Sequence, residues 1–391
     1  MSDWKRVPLE TLLSSKISYG IVQPGQDQEV GVPIVRVKDV RNGKVDVREP
    51  LRVSSEVESK YARTRLQGGE LLLTLVGSTG QVAVAHPELA GWNVARAIGV
   101  LRPLSDISPR WLRYYLESEA AQQYMREHLN TTVQATLNLK DVRTLPVPLP
   151  PREEREAVVD VIGVLDDKIA VNESIATTAD EFSSELFKYA LLARPERFTE
   201  RALTDAAEFI NGRAFTKDAT GTGRMVVRIA EINSGPGGST VYNDIAVSEK
   251  YLAQPGDVLF AWSGSLTVTR WFRPEAIINQ HIFKCVPKNE NPHWLVHQLV
   301  HRKIDEFRAI AADKATTMGH IQRKHLDEPV SFPEPEELAS LDSRIGPLWN
   351  RALLAERESL ALATLRDTLL PQLMSGRLRV KDAEKIVEDA T

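Results

Sequence analysis

LPVPLPPREERE, residues 145–156, decides the reading of this chain, because EPVSFPEPEELA at residues 328–339 repeats it at a fixed distance. Adding 183 carries Pro146 onto Pro329, Pro150 onto Pro333 and Glu153 onto Glu336. The same offset carries Ile162-Gly163 onto Ile345-Gly346, Leu165 onto Leu348, and Leu186-Phe187 onto Leu369-Leu370. A constant offset held this far marks an internal duplication.

Each Pro-rich junction leads into an apolar seam. The first runs Val158, Ile162, Leu165, Ile169, Asn172, Ala176, Ala179, Phe182, Leu186, Ala190. The second runs Leu341, Ile345, Leu348, Ala352, Ala355, Ser359, Leu362, Leu365, Leu369, Leu373. Spacings of mostly fours and threes are the heptad pattern of packed helices. Prolines followed by Glu in the first turn mark both helix starts. About forty residues at a 1.5 Å rise make each helix roughly 60 Å long. One helix cannot bury such a stripe alone, so the two are expected to pack together as an antiparallel pair. Leu165 and Leu348 then face each other or adjoining turns, and Asn172 is a candidate to set the register.

The segments between the seams repeat more loosely. LQGGELLLTLVGSTG (66–80) is like AQPGDVLFAWSGSLT (253–267), and GVPIVRVKDV (31–40) is like GRMVVRIAEI (223–232), with Arg36 and Arg228 at matched places. Here the offset drifts between 187 and 192, so loops differ while strand-like cores persist. DISPRWLRYYLES (106–118) and ENPHWLVHQLVHR (290–302) both read as capped helices carrying Trp and Leu at helical spacing. The expected fold class is therefore α+β (mixed α/β): two globular domains, two long antiparallel coiled-coil helices and an internal pseudo-twofold duplication. The boundaries expected are 1–150 and 195–333 for the globular domains, 151–194 for a central helix, and 334–391 for a C-terminal helix and tail.

Composition bounds the function. The chain has 391 residues, 42% of them hydrophobic and 26% charged, enough for sizeable cores. A single cysteine, Cys285, excludes a disulfide framework and a Cys-built zinc site, and fits a reducing cytoplasmic setting. No run approaches the ~18 consecutive apolar residues of a membrane span, and the first residues lack the apolar core of a signal peptide. The net charge of −4 hides local sign. Residues 1–150 carry 19 basic against 16 acidic side chains, and 201–333 carry 16 against 14, giving +3 and +2. Residues 151–200 and 334–391 are acidic, at −6 and −3. Only the globular segments are candidates for contact with a phosphate backbone.

Enzyme signatures are missing. No Gly-x4-Gly-Lys-Ser/Thr loop supports nucleotide hydrolysis, and Gly77-Ser78-Thr79-Gly80 reads as a strand-connecting turn. Asn291-Pro292-His293-Trp294 is the nearest approach to the Asn/Asp-Pro-Pro-aromatic loop of amino-methyltransferases, and it lacks the second Pro. Six of the eight histidines (His281, His293, His297, His301, His320 and His325) fall in the second globular segment. His293, His297 and His301 share a helix face at i, i+4, i+8, yet Trp294, Leu295 and Leu299 make it a plain amphipathic helix, so no metal is expected.

A duplicated unit of α/β domain plus long helix resembles the specificity (S) subunit of Type I restriction-modification systems. The residues carrying the likeness are LPVPLPPREEREAVVDVIGVLDDKI (145–169), its copy at 328–352, and LLPQLMSGRLRV (369–380). The chain departs from the family in having REERE where a Gln usually stands near the helix start, and in Glu334 separating the prolines of the second junction. The resemblance implies a DNA-reading scaffold without catalysis of its own. Each globular segment would be a target recognition domain reading one half of a split, asymmetric site in double-stranded DNA. The helices would hold the readers apart and dock two methyltransferase (M) subunits, with restriction/translocase (R) subunits joining them. Val158, Ile162, Leu165, Ile169, Leu341, Ile345, Leu348 and Leu362 would form that helix seam and partner surface. The chain would hold no cofactor; S-adenosylmethionine, ATP and Mg2+ would sit on the partners.

Candidate DNA contacts come from polar loops, where Arg, Asn and Gln suit base edges and Lys and Thr suit phosphates. In the first domain these are Lys38, Arg41, Asn42, Lys44, Ser78, Thr79, Asn93, Arg96, Asn130, Thr131, Thr132 and Gln134. In the second they are Asn211, Arg213, Lys217, Ser263, Ser265, Asn279, Gln280, His281, Lys314, Thr316 and Thr317. Asn279, Gln280 and His281 are expected to match Asn93, and the Lys314 stretch to match the Thr131 stretch. Two other readings stand beside this one. A degenerate DNA methyltransferase would bind S-adenosylmethionine when purified alone; a coiled-coil adaptor would bind no DNA.

Overall fold

A computed structural model of the chain describes residues 4–41, 43–47, 49–130, 135–313 and 319–389. The chain forms two compact units, Met1–Asp167 with Leu362–Thr391 and Lys168–Ala361. Its two long helices, Arg152–Ala193 and Pro335–Met374, each give one part to either unit.

The first unit is built on a four-stranded antiparallel sheet in the order Ser18–Tyr19, Ile98–Leu101, Leu71–Thr74, Val82–Val84. Leu71, Leu72, Leu73, Ile98, Val100 and Leu101 are all buried, so the two middle strands read as continuous apolar runs rather than alternating ones. A three-stranded sheet follows in the order Leu51–Val53, Val32–Val35, Asn93–Val94, with Ile34 and Asn93 partnered in parallel. Arg6–Pro8 pairs with Pro146–Pro148, which closes the globular part just before the long helix begins. The capped helix expected near Trp111 runs over Pro109–Glu117 with Ser108 at its N-cap; Ser118 ends it and caps a second helix, Glu119–Glu127.

The second unit has the same frame. Its antiparallel sheet runs Ala207–Asn211, Ile282–Pro287, Val258–Ala261, Thr267–Arg270. Its other sheet runs Tyr242–Asn243, Arg224–Val227, Ala276–Ile278, Leu252–Ala253, with Val226 and Ile277 partnered in parallel. Phe198–Ala202 pairs with Pro329–Pro333 as the closing ribbon. The helix carrying Trp294 is one piece, His293–Asp313, and buries Trp294, Leu295, Leu299 and Phe307 in the main core together with Cys285.

Two local devices recur in both units. The Arg36 guanidinium donates to Asp39 (Nε–Oδ2 3.1 Å) and to the Glu49 carbonyl (2.7 Å). The Arg228 guanidinium donates likewise to Glu231 (Nε–Oε2 3.0 Å) and to the Ser239 carbonyl (2.7 Å). Burial pushes the Glu231 carboxyl upward, but its bonds with Arg228 outweigh that and hold it below its usual range. The second device is a close backbone approach. A Cβ on Gly20 would lie 1.8 Å from the Val94 carbonyl oxygen, and one on Gly212 would lie 2.2 Å from that of Asn279. Only glycine fits there.

Within the second unit the helix parts run antiparallel: Asn172 bonds Glu358 (2.8 Å), while Arg194 bonds Glu337 (3.1 Å). Ala176, Ala179, Ala352 and Ala355 form a small-residue seam between them, with Leu348 packed beside it. In the first unit Val158, Ile162, Leu165, Leu362, Leu369 and Leu373 are buried, and Arg366 reaches Asp166 at 3.0 Å. Leu165 thus falls in the first unit and Leu348 in the second; Ile169, Leu341 and Ile345 are buried in the second.

One seam position is corrected. Phe182 is 54% exposed, and Ser183 holds the buried place, its hydroxyl donating to the Ala179 carbonyl. Strict alternation of fours and threes from Ala179 lands on Ser183. The same alternation in the second helix lands on Arg366 rather than Leu365.

Candidate nucleic-acid interface

Backbone register brings part of the candidate set of each unit, Ser78, Thr79 and Arg96 in the first and Ser263, Ser265, Asn279, Gln280 and His281 in the second, to one end of its antiparallel sheet. In the first unit that end comprises the turn Gly77–Gly80, the bridge from Val76 to Thr136, and the turn Ala95–Ala97. In the second it comprises Ser263–Ser265, the bridge from Ser263 to His320, and the turn Asn279–His281. Gly77, Gly80 and Gly264 take positive φ, so each hairpin can turn tightly. Ser78 and Ser265 are exposed, Thr79 is half-buried, and Ser263 is buried.

The parallel strand pairing fixes the equivalence of the two turns. Ile34 partners Asn93 and Val226 partners Ile277. Ile21 then bridges Ala95, and Arg213 bridges Asn279. Asn279 therefore matches Ala95, Gln280 matches Arg96, and His281 matches Ala97. The expected match of this turn with Asn93 is off by two residues. Hydrogen bonds repeat the match: the Arg96 amide donates to the Ile21 carbonyl (2.8 Å), and the Gln280 amide to that of Arg213 (2.9 Å).

Asn93 itself belongs to the core. It is fully buried; its Oδ1 accepts from Thr64 (2.8 Å), and its Nδ2 donates to Glu58 (3.1 Å) and the Tyr61 carbonyl (3.2 Å). A saturated, buried amide offers nothing to a base edge. This corrects its place among the candidates.

The other first-unit candidates lie on the surface. Lys38 is exposed in the short helical turn Val37–Asp39, and Arg41 and Lys44 are exposed partners in a two-stranded hairpin. Arg96 and Asn130 are exposed. Asn42, Thr131, Thr132 and Gln134 lie outside the described residues, as do Lys314, Thr316 and Thr317 in the second unit.

The second unit's turn is richer in aromatic and polar groups. Asn211 Oδ1 accepts from Trp262 Nε1 (2.8 Å). The Trp262 ring lies 5.2 Å from the His281 ring and 6.3 Å from that of His320, contacts that the sequence reading did not anticipate. Arg213 is exposed with its guanidinium 4.9 Å from the Tyr251 ring, and Lys217 is exposed. His281 adopts a left-handed backbone (φ 76°), which histidine tolerates better than most residues. Asn279 is buried, and its Oδ1, like His281 Nδ1, makes no hydrogen bond among the described residues. An unpaired buried polar atom is costly.

Nothing among the described residues assembles as a metal centre: no group of three or more His, Cys, Asp or Glu side chains could hold an ion. His297 is held neutral by burial and by the nearby Arg270, its pKa lowered to about 3, and its ring packs 5.4 Å from Trp349. No helix among the described residues is long and apolar enough to cross a membrane.

Comparison with known proteins places this architecture. The profile of the Type I restriction modification DNA specificity domain matches residues 1–179 and again 195–338. The EcoBI specificity subunit of a Type I restriction enzyme from Escherichia coli is 31% identical over 160 residues, 40% of this chain and 34% of the relative. The MjaIX specificity subunit from Methanocaldococcus jannaschii is 21% identical over 384 residues, covering 90% of this chain and 88% of that one. The chain spans about a third of the EcoBI subunit's length and somewhat under half (42%) of a second curated relative, the MjaX subunit of the same archaeon. A crystal structure of a Type I restriction-modification S subunit from M. genitalium superposes with a TM-score of 0.55 at 14% identity, covering 95% of this chain and 96% of that one, a likeness of fold.

Proposed function

The chain belongs to the family of Type I restriction modification DNA specificity domains, and from that premise we propose that it reads a split DNA site with its two units. As a specificity subunit it does no chemistry itself. Each globular part, residues 1–150 and 195–333, serves as a target recognition domain for one half-site in double-stranded DNA, and the helical stretches 151–194 and 334–391 serve as spacer and dock. Methyltransferase subunits carrying S-adenosylmethionine bind the helices, and restriction subunits bring ATP and Mg2+.

The observation that carries this reading is the repetition of one sheet frame with different side chains at its loop end. Ala95-Arg96-Ala97 in one copy stands where Asn279-Gln280-His281 stands in the other. Identical framework with divergent loops is what two readers of different half-sites require. Docking has its own support: Val171, Phe182, Tyr189 and Leu192 are exposed on the first long helix, and the first three recur at 11 and 7 residues, on one face. An exposed apolar line of this kind marks a protein-binding surface.

The test is to express the chain with its methyltransferase partners and map methylated bases by single-molecule sequencing. A motif of two specified halves with a fixed unspecified gap is the expected result. A single contiguous motif, or methylation without sequence preference, overturns the two-reader reading.

A further inference from the structure

Arg96 and Gln280 occupy one and the same position in the two copies of the frame, and we propose that this position reads a base in each half-site: a guanine through Arg96 and an adenine through Gln280. The inference rests on the two-reader function above and adds which residues specify, and what.

The equivalence is a matter of backbone, not of residue likeness. Both residues are the middle of a three-residue turn that joins the parallel-paired strand to the central strand of the antiparallel sheet. Both amides are tied to the neighbouring strand, at Ile21 and Arg213. The flanking carbonyls of Ala97 and His281 are tied as well, accepting from Leu75 (2.7 Å) and Trp262 (3.1 Å). A backbone held on both sides, with Gly20 or Gly212 packed under it, leaves only the side chain free to vary. Both side chains are exposed.

Their chemistry matches base edges. A guanidinium can donate two bonds to guanine O6 and N7, and a carboxamide can donate to and accept from adenine N7 and N6. The charge lost at Gln280 reappears across the hydrogen bond, because the residue partnering it is Arg213 where the first copy has buried Ile21. Each turn thus keeps one cation, with the side chain at the reading position chosen independently. Phosphate attraction is preserved in both while the base contact differs.

The experiment maps methylated motifs made by the assembled complex carrying Arg96→Gln or Gln280→Arg, beside the unchanged complex. Arg96→Gln is expected to lower preference for guanine at one position of one half-site by roughly 5- to 150-fold, with adenine gaining. Gln280→Arg is expected to do the reverse at one position of the other half-site. Motifs left unchanged by both substitutions, or affinity that falls equally on every sequence, overturn the assignment and make these residues phosphate contacts. Absence of any two-part motif with the unchanged complex is a different failure, of the two-reader function itself. Both side chains are exposed, so melting curves matching the unchanged chain accompany either result.

Discussion

The two units solve one mechanical problem, fixing a sheet domain to a pair of long helices, with different side chains. In the first unit Asp166 on the first long helix is the hub: Arg113 and Tyr114 approach it from the globular domain and Arg366 from the second long helix. Burial pushes the Asp166 carboxyl up, but these partners outweigh it and hold it below its usual range. In the second unit the hub is a cation. Arg270, on a sheet strand, is almost fully buried (3% side-chain exposure), bonds Asp180 at 3.1 Å and Glu356 at 2.8 Å, and lies 4.4 Å over Trp349. The offset of 183 shows the exchange: Tyr114 becomes His297 and Asp166 becomes Trp349, so a polar pair gives way to a ring contact. Topology is retained while the charge moves to another element. The scaffold therefore constrains where the domain is gripped, not by which charge.

The hubs offer the strongest test of this contrast. Arg270→Ala removes the almost fully buried cation shared by Asp180 and Glu356 and should destabilise the chain by about 3 kcal/mol in urea unfolding, the low end of the cost of breaking a buried ion pair because both carboxylates keep some exposure. Asp166→Ala should fall in the same range by removing the carboxylate that Arg113, Tyr114 and Arg366 share. The exposed Arg308–Asp305 pair is the control, and its loss should cost under about 1 kcal/mol. If Arg270→Ala behaves like the control, the cation hub is ornamental and the comparison fails.

Matched core positions should respond alike. Ile162 and Ile345 are both fully buried, one per unit. Ile→Ala at either should cost about 2–5 kcal/mol, with the spread reporting how far each site can close over the cavity. Equal losses would extend the duplication from backbone to packing. A loss under about 1 kcal/mol at one alone would show that only the other carries the helix seam.

Glu117 makes the stability of the first unit depend on pH. Burial pushes its carboxyl up to about 7, more than the nearby Arg113 offsets, and Asp166 adds a smaller upward push. The folded chain then holds a proton that the unfolded chain releases near pH ~4.3. Stability therefore falls as pH rises from about 4.3 to about 7, by at most about 4 kcal/mol, and the deficit persists above that. Glu117→Gln should remove this slope and raise stability at neutral pH. Val300 holds the matched place in the second unit, where the upward-shifted carboxyl is instead Glu356, raised by burial beyond what Arg270 offsets. Asp166 works in the opposite sense: its stabilisation is present above about pH 4 and lost on further acidification. A Glu117→Gln chain whose stability still fell between pH 4.3 and 7 would count against the assignment.

The helices were legible because their signal is local and periodic, and the duplication supplied it twice. The seam strays from strict spacing at Phe182 and Leu365, where apolarity and spacing disagree; the buried position beside Phe182 is Ser183, while Leu365 and Arg366 are both half-buried. The sheet frame was legible as paired apolar stretches, but its register was not. Matching Asn279 to Asn93 by residue type displaced the second turn by two residues, which keeps the sheet face yet moves it by roughly 7 Å along the strand. Strand register is fixed by partners remote in sequence, here Val35 and Val227. For the same reason nothing in the string distinguished a core amide such as Asn93 from a surface side chain such as Arg96. The Trp262–His281–His320 cluster was equally hidden, since its members come from three separate stretches of chain.

The smallest effects on stability should come from the loop ends, and there the comparison becomes sharpest. Lys38 and Lys217 are exposed, one in each unit, and loss of either should alter stability by less than about 0.5 kcal/mol. If each contacts a phosphate, Lys→Ala should weaken binding of the assembled complex to every duplex by a similar factor. Each should also make the slope of log K against log salt shallower by about 1, because one fewer counterion is released. Units whose loops act separately should contribute independently, so the double variant should change the slope by about 2 with little coupling. Titrations of the complex with its own target between about 50 and 200 mM salt would measure this. A methylation map that kept both half-sites under either substitution would assign the lysines to affinity. A lysine change that rewrote one half-site would move that residue among the base readers and leave the separation of the units intact. A change that rewrote both halves at once would show that the units do not read independently.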